Sequence, residues 1–185
     1  VCTEKQGSRF RFIHVSNMVP LKSCEGILRA FSKLSGQNSN TELMMVGDTA
    51  PSIREYAASL QLPVAAISFR GELPYEQVAK EMQLADCLLL FSNIENSPCV
   101  IGEALCCGLP VISTNVGGVP ELVDESNSFL VEAKNEDQLI VAMQQAISSY
   151  SKFDRKGISE KAALRFSYET VGKSIDAVYG SILKG

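Results

Sequence analysis

The chain has very little histidine and no tryptophan. His14 is the one histidine among 185 residues, and aromatic residues make up 7% of the chain. Structural zinc sites combine cysteine and histidine at short, fixed spacings. The six cysteines, at positions 2, 24, 87, 99, 106 and 107, form no C-x-x-C pair and have no histidine at ligand spacing. We therefore expect no metal site, and thiols without a pattern in a chain of this size indicate a reducing cytosol rather than a disulfide scaffold.

The chain also lacks a basic face and a long apolar run. It has 17 Lys and Arg against 21 Asp and Glu, a net charge of −4, and its densest basic stretch, residues 152–165, also contains acidic residues. A nucleic-acid-binding domain usually carries a concentrated basic patch, so we expect no nucleic-acid partner. No apolar run approaches the roughly 18–20 residues that span a bilayer.

What is present is the composition of a globular domain. Hydrophobic residues make up 45% of the chain and charged residues 21%, and 185 residues correspond to about one domain. The chain starts at Val1 without an initiator methionine. We therefore expect residues 1–185 to be one domain of a longer protein.

Short apolar runs alternate with helical periods from one end of the chain to the other. The predicted strands are residues 10–16, 42–46, 64–69, 87–91, 110–113 and 128–131, and a last helix is predicted at about 159–183. This alternation predicts an α/β fold, a Rossmann-like parallel sheet of about six strands with helices on both faces. Ligands of such sheets bind beyond the carboxyl ends of the strands, where each strand leads into a helix.

The most informative of these junctions follows the fourth strand, at residues 92–110. Ser97 is predicted to cap a helix and Pro98 to occupy its first position, because serine and proline favour those places. Gly108 suits the left-handed residue that follows a helix, so the helix is predicted at 98–107. The free N–H groups of Cys99, Val100 and Ile101 would then face the ligand edge, where they attract phosphate.

Two carboxylates accompany this helix, Glu95 before it and Glu103 within it. The pattern Glu95-x7-Glu103, followed by Gly117-Gly118-Val119-Pro120-Glu121, resembles the nucleotide-sugar half of the retaining GT-B glycosyltransferases of family 4. Residues 12–22, 43–48 and 67–71 resemble the other ligand-edge junctions of that family, in the same order.

The resemblance implies a role for each matching residue. Glu95 would contact the hydroxyls of the donor sugar and Glu103 those of the ribose, since a carboxylate accepts two hydroxyl hydrogen bonds. Lys22 would neutralise the diphosphate. Glu95 and Lys22 are the two candidate catalytic residues. Base recognition falls to the loop after the third strand, at Gly71 and Glu72. The remaining candidates for donor binding are Asn17, Asn96, Ser97, Cys99 and Val100.

The sequence departs from the family pattern at two places. Asn17 stands where the family usually has an arginine, so one cation for the diphosphate is missing or comes from elsewhere. Asn96-Ser97-Pro98 replaces a common Gly-Phe-Gly turn, and Pro98 has no N–H to offer the donor. We interpret the second departure as a change in specificity.

The resemblance therefore implies the C-terminal, donor-binding domain of a retaining glycosyltransferase. The enzyme would move a sugar from a UDP- or GDP-linked donor to an acceptor sugar or glycolipid, in glycan, polysaccharide or glycolipid synthesis, with no further cofactor. A facing N-terminal domain would hold the acceptor, so we expect this chain alone to bind donor and transfer nothing. The implied location is the cytoplasm, or the inner face of the membrane through the missing half.

Three other interpretations compete with this one. A nicotinamide-binding domain needs G-x-G-x-x-G after the first strand, but residues 16–23 contain no glycine. A non-catalytic nucleotide-sugar-binding module, and an epimerase or sugar phosphorylase of the same architecture, stay open.

Two other features have structural interpretations. We expect His14 to be a hydrogen-bonded core residue. Gly117 and Gly118 are predicted to shape a tight turn before a short helix.

Overall fold

The computed structural model describes residues 9–48 and 50–183, so the predictions for Val1 and Cys2 lie outside the described residues. Strands and helices alternate. The strands are β1 (Phe10–Val15), β2 (Thr41–Val46), β3 (Ile67–Gly71), β4 (Cys87–Leu90), β5 (Val111–Thr114) and β6 (Ser128–Val131). The helices are α1 (Cys24–Gln37), α2 (Pro51–Ser59), α3 (Tyr75–Leu84), α4 (Cys99–Cys106), α5 (Val119–Leu122), α6 (Glu136–Ser148), α7 (Arg155–Phe166) and α8 (Tyr168–Leu183).

The six strands form one parallel sheet in the order β3-β2-β1-β4-β5-β6. This confirms the predicted Rossmann-like fold. The order reverses between β1 and β4, because the chain first builds outward on one side of β1 and then returns to build on the other. In open α/β sheets such a reversal creates a crevice at the carboxyl edge of the two strands, and ligands bind there.

Helices cover both faces of the sheet and divide the core in two. Alternate residues of a strand point to opposite faces, so Phe12 and Leu89 pack in one layer while Ile13 and Leu88 pack in the other. The first layer is closed by α1, α2 and α6, and the second by α3, α4 and α7. Because both faces are buried, the strands are nearly continuous in apolar residues.

The start of α4 differs from the prediction by one residue. Pro98 adopts an extended conformation (φ −69°, ψ 110°) and is the residue before the helix, which begins at Cys99. Ser97 therefore lies one position too early for its hydroxyl to reach the first turn, and no side chain caps the helix. The other end agrees with the prediction, since Gly108 follows the helix with φ +69°.

Two further boundaries differ. The predicted strand at 64–69 begins only at Ile67, because the N–H of Ala66 bonds to the carbonyl of Pro63 at 2.7 Å and closes a 3-10 turn over Val64–Ala66. The predicted helix at 159–183 is two helices, broken at Ser167, which is extended at ψ 147°. The hydroxyl of Ser167 accepts the N–H of Thr170 at 3.2 Å, so it starts α8 as a local cap.

No helix among the described residues is long and apolar enough to span a bilayer. The five cysteines of the described part are free.

Candidate functional site

The loop between β1 and α1 is compact and locally strained. Met18 (φ 52°) and Ser23 (φ 48°) both adopt the left-handed conformation, which residues other than glycine rarely occupy. Between them a 3-10 turn, Pro20–Lys22, is closed by a hydrogen bond of 2.8 Å from the N–H of Lys22 to the carbonyl of Val19. The loop therefore holds Lys22 in a tight turn at the carboxyl edge of the sheet.

The loop after β4 meets this turn directly. The N–H of Asn93 donates to the carbonyl of Leu21 at 2.8 Å, and Nζ of Lys22 donates to Oε1 of Glu95 at 2.6 Å. Lys22 and Glu95 are 73 residues apart in sequence. They meet because β1 and β4 are parallel neighbours, so that both loops leave the sheet at the same edge.

The Lys22–Glu95 pair is largely removed from water. The side chain of Glu95 is 7% exposed and that of Lys22 is 23% exposed. A carboxylate so deeply buried requires a compensating charge, which Lys22 supplies through a short charge-assisted hydrogen bond. This bond uses one of the three N–H donors of the ammonium group, so the pair retains capacity to bind an anion.

The start of α4 lies at the same edge and offers backbone donors. The N–H groups of Cys99 and Val100 have no carbonyl partner within the helix, as in the first turn of any helix. The N–H of Ile101 donates to the carbonyl of Pro98 at 3.1 Å. The first turn therefore offers a ligand two amides, whereas the sequence predicts three.

Glu103 stands apart from this pair, beside a cavity of about 450 Å³ between α3 and α4. Tyr75 also lines the cavity, and its hydroxyl interacts electrostatically with the carboxylate of Glu103. Burial raises the pKa of Glu103 and the nearby hydroxyl of Tyr75 lowers it, while the negative charge of Glu103 raises the pKa of Tyr75. Sequence reasoning missed Tyr75, because no spacing in the chain relates it to a residue 28 positions further on.

Two glycines support the loop that carries Glu95. The N–H of Gly118 donates to the carbonyl of Asn96 at 2.8 Å. Gly117 has φ +54°, and a Cβ there would lie 1.7 Å from the carbonyl oxygen of Glu95. The predicted tight turn before α5 is confirmed, and its backbone packs against the backbone of residues 95 and 96.

Several other candidates are at this edge without touching the ion pair. Asn17, Asn96 and Ser97 are exposed in their loops. Gly71 ends β3, two strands from β1, with φ +69° and open space where a Cβ would lie. Glu72 follows it and is exposed to solvent. The structure thus brings Lys22 and Glu95 into contact and leaves the base-recognition candidates further along the edge.

Two buried polar atoms at the end of β4 have no hydrogen-bond partner within the described part of the chain. They are Oγ of Ser92 and Oδ1 of Asn93. Buried polar atoms are nearly always paired. Unpaired atoms this close to Glu95 fit an edge that binds a polar ligand.

Almost the whole of this architecture matches one known family. The family model described as glycosyl transferases group 1 matches residues 3–164. The chain belongs to this family.

Curated relatives are longer than the chain. N-acetyl-alpha-D-glucosaminyl L-malate synthase of Bacillus anthracis is 31% identical over 120 residues, 63% of this chain and 30% of the relative. A GDP-mannose-dependent monoacylated alpha-(1-6)-phosphatidylinositol monomannoside mannosyltransferase of Corynebacterium glutamicum is 23% identical over 179 residues, 90% of this chain and 46% of the relative. The chain thus spans less than half the length of these group 1 relatives.

A solved structure shows the same fold. The Anabaena protein Alr3699/HepE, in complex with UDP-glucose, superposes with a TM-score of 0.82 over 94% of this chain and 49% of the Anabaena chain. Sequence identity is 22%. At that identity the likeness establishes the fold.

The close contact at Gly117 generates a stability prediction. Gly117→Ala should lower the free energy of unfolding by about 3 kcal/mol, because it adds both left-handed strain and a clash with the backbone of Glu95. Gly71→Ala, which has a similar φ but open space, should cost only about 1 kcal/mol. Urea unfolding of both variants measures the difference. Equal losses would show that the contact with Glu95 contributes nothing.

Proposed function

We propose that this chain is the nucleotide-sugar-binding domain of a retaining glycosyltransferase. The observation that carries the proposal is the 2.6 Å bond between Lys22 and Glu95 at the carboxyl edge of β1 and β4, beside the first turn of α4. This edge is where the fold places ligands. A cation, free backbone amides and a buried carboxylate at one point match a ligand with a diphosphate joined to a sugar.

Each part of the donor has a proposed partner. Lys22 and the amides of Cys99 and Val100 bind the diphosphate, and Glu95 accepts hydrogen bonds from hydroxyls of the sugar. Glu103 accepts hydrogen bonds from the ribose hydroxyls, and the cavity between α3 and α4, which Glu103 and Tyr75 line, receives part of the nucleoside. The loop at Gly71 and Glu72 contacts the base. The remaining proposed contacts with the donor are made by Asn17, Asn96 and Ser97.

The proposed chemistry is breakage of the bond between the anomeric carbon and the diphosphate. Negative charge then grows on the departing phosphate oxygen. Lys22 and the α4 amides face that charge and stabilise it electrostatically, since their positions are already set by the fold. Glu95 acts at the same time on the sugar and on Lys22, which couples the position of the sugar to that of the cation. The oxygen of the acceptor hydroxyl forms the new bond to the anomeric carbon on the same face of the sugar, and its proton passes to the departing phosphate oxygen.

The relatives support a sugar nucleotide and a lipid or sugar acceptor. The Anabaena structure contains UDP-glucose, and the Corynebacterium relative is named for GDP-mannose and a phosphatidylinositol monomannoside. We propose a UDP- or GDP-linked donor and a role in glycan, polysaccharide or glycolipid synthesis. In this proposal a part of the protein outside these 185 residues binds the acceptor.

Replacing Lys22 tests the diphosphate site. Lys22→Ala should weaken the binding of UDP or GDP by roughly 1.5–3 kcal/mol, the usual worth of a hydrogen bond to a charged group. Binding of the nucleoside without phosphate should be unchanged. Titration calorimetry measures both, and Lys33→Ala, an exposed lysine on α1, is the matched control. Equal losses for nucleotide and nucleoside would place Lys22 outside the phosphate site.

Substitutions of the two glutamates should have different effects on ligand binding. Glu103→Gln should weaken the binding of the free nucleotide and of the nucleoside alike, because the ribose loses a charged hydrogen-bond acceptor. Glu95→Gln keeps an oxygen for Lys22, so it should spare the nucleotide and reduce affinity for the intact sugar donor. Glu121→Gln, an exposed residue of α5, serves as control. The opposite pattern in calorimetry would show that the sugar and ribose assignments are wrong.

The chain alone should bind donor without transferring sugar. Holding two reactants together contributes about 7–11 kcal/mol to rate enhancement, and none of the assigned residues binds an acceptor. Nucleotide release from candidate donors and acceptors measures the rate. Turnover of about 1 s⁻¹ or faster would show that the acceptor site lies within these residues.

A further inference from the structure

We propose that His14 and Ser16 are positioning residues that hold the Lys22 turn against β4. The ligand that this turn meets is the diphosphate of the proposed function, and the inference rests on that function for its consequence in binding. The hydrogen bonds by which His14 and Ser16 position the turn are present in the chain without any ligand.

The hydrogen-bonding state of His14 follows from its partners. The side chain is fully buried, with Nδ1 2.8 Å from the carbonyl oxygen of Leu89 and Nε2 2.7 Å from Oγ of Ser16. A carbonyl only accepts, so Nδ1 carries the proton and donates to Leu89. In the neutral ring Nε2 is then an acceptor, and the hydroxyl of Ser16 donates to it at 2.7 Å, while Sγ of Cys24 lies 3.5 Å from the same nitrogen. The expectation of a hydrogen-bonded core histidine is confirmed, and its bonds to Leu89 and Ser16 each have a defined donor and acceptor.

His14 keeps this neutral form at ordinary pH. Burial lowers its pKa to about 4, and the positive charge of Lys22 acts in the same direction. The carbonyl of Leu89 and the charge of Glu95 act in the opposite direction and are outweighed. The direction of both hydrogen bonds is therefore constant over the range in which enzymes usually work.

Ser16 passes this constraint to the loop. Its oxygen accepts the N–H of Met18 at 2.9 Å while its proton is donated to His14. Met18 is the buried residue held at φ 52°, and the turn that carries Lys22 begins directly after it. The bond thus fixes the N–H of a residue in a conformation that the chain would otherwise leave.

The hydrogen bonds from Leu89 through His14 and Ser16 to Met18, here called the relay, connect the turn to the strand that leads to Glu95. Leu89 lies on β4, six residues before Glu95, and the carbonyl of Leu21 accepts the N–H of Asn93 just beyond β4. The turn is therefore attached to the same segment at both ends. An apolar residue at position 14 would fill the core without these bonds. The polar chain from Leu89 through His14 and Ser16 to Met18 instead fixes the distance between the cation and its carboxylate.

The first arm of the test needs no ligand. Ser16→Ala removes the relay at a partly exposed position, and Ser16→Thr keeps the hydroxyl. A short pulse of acetic anhydride followed by peptide mass spectrometry measures the labelling rate of Lys22 relative to Lys33. Ser16→Ala should raise the relative rate about threefold, since a released ion pair at a partly exposed site is worth that much. Ser16→Thr should restore the original rate, and Ser35→Ala, which removes a hydroxyl near the far end of α1, should leave it unchanged.

The second arm measures coupling between Ser16 and Lys22. Ser16→Ala should weaken UDP or GDP binding about fivefold, while uridine or guanosine binding stays the same. In a Lys22→Ala background the same substitution should change nucleotide affinity less than about twofold, because the group it positions is gone. Ser16→Cys, similar in size with a weak donor, provides a second variant if the melting temperature of Ser16→Ala shows unfolding.

The outcomes separate the two proposals. Unchanged Lys22 labelling in folded Ser16→Ala and Ser16→Cys, or equal losses of affinity in both backgrounds, would overturn the positioning role even if the wild type binds nucleotide. Raised labelling with rescue by threonine, in a chain that binds neither UDP nor GDP, would support the positioning role and overturn the proposed function.

Discussion

The parallel pairing of β1 with β4 in the middle of the sheet is the constraint on which the site depends. The chain builds three strands on one side of this junction and three on the other, so the loops after β1 and β4 separate to opposite faces. Their first residues nevertheless leave the sheet side by side. The bond of 2.6 Å between Lys22 and Glu95 is possible because of that geometry.

Backbone contacts between loops support the site, in addition to its side-chain hydrogen bonds. Gly118 bonds to the carbonyl of Asn96, and Gly117 approaches the carbonyl of Glu95 more closely than any side chain would permit. On the other side, Asn93 bonds to the carbonyl of Leu21. Three loops after three neighbouring strands therefore brace one another.

Part of the local strain lies where the charge is presented. Of the four non-glycine residues with positive φ in the described part of the chain, two flank the Lys22 turn and two, Gln61 and Lys134, lie elsewhere. Met18 and Ser23, on either side of the Lys22 turn, adopt left-handed conformations, and buried polar atoms without partners in the described part of the chain lie at the end of β4. Such features cost free energy and persist where the surroundings impose them. The remainder of the sheet follows ordinary rules, with apolar strands buried on both faces. Strained residues and unpaired polar atoms close together around the Lys22 turn fit an edge adapted to a ligand.

The sequence by itself determined the fold class and the order of its elements. Apolar residues recur about every 2 residues in strands and every 3.6 residues in helices. This recurrence is a local property of the sequence, so six strands and the helices between them can be recognised without tertiary information. The glycine after α4 was likewise predictable from local chemistry. The boundaries of the strands and helices were less predictable, because a single hydrogen bond, such as that from the N–H of Ala66 to the carbonyl of Pro63, decides where a strand begins.

The tertiary structure alone decided which residues meet. Nothing in the spacing of Lys22 and Glu95 indicates a direct bond between them, and nothing relates Tyr75 to Glu103 or His14 to Leu89. These contacts depend on the order of strands in the sheet and on how each loop turns after leaving it. Those are long-range properties, set by the packing of the whole core, and they have no signature within any short stretch of the chain.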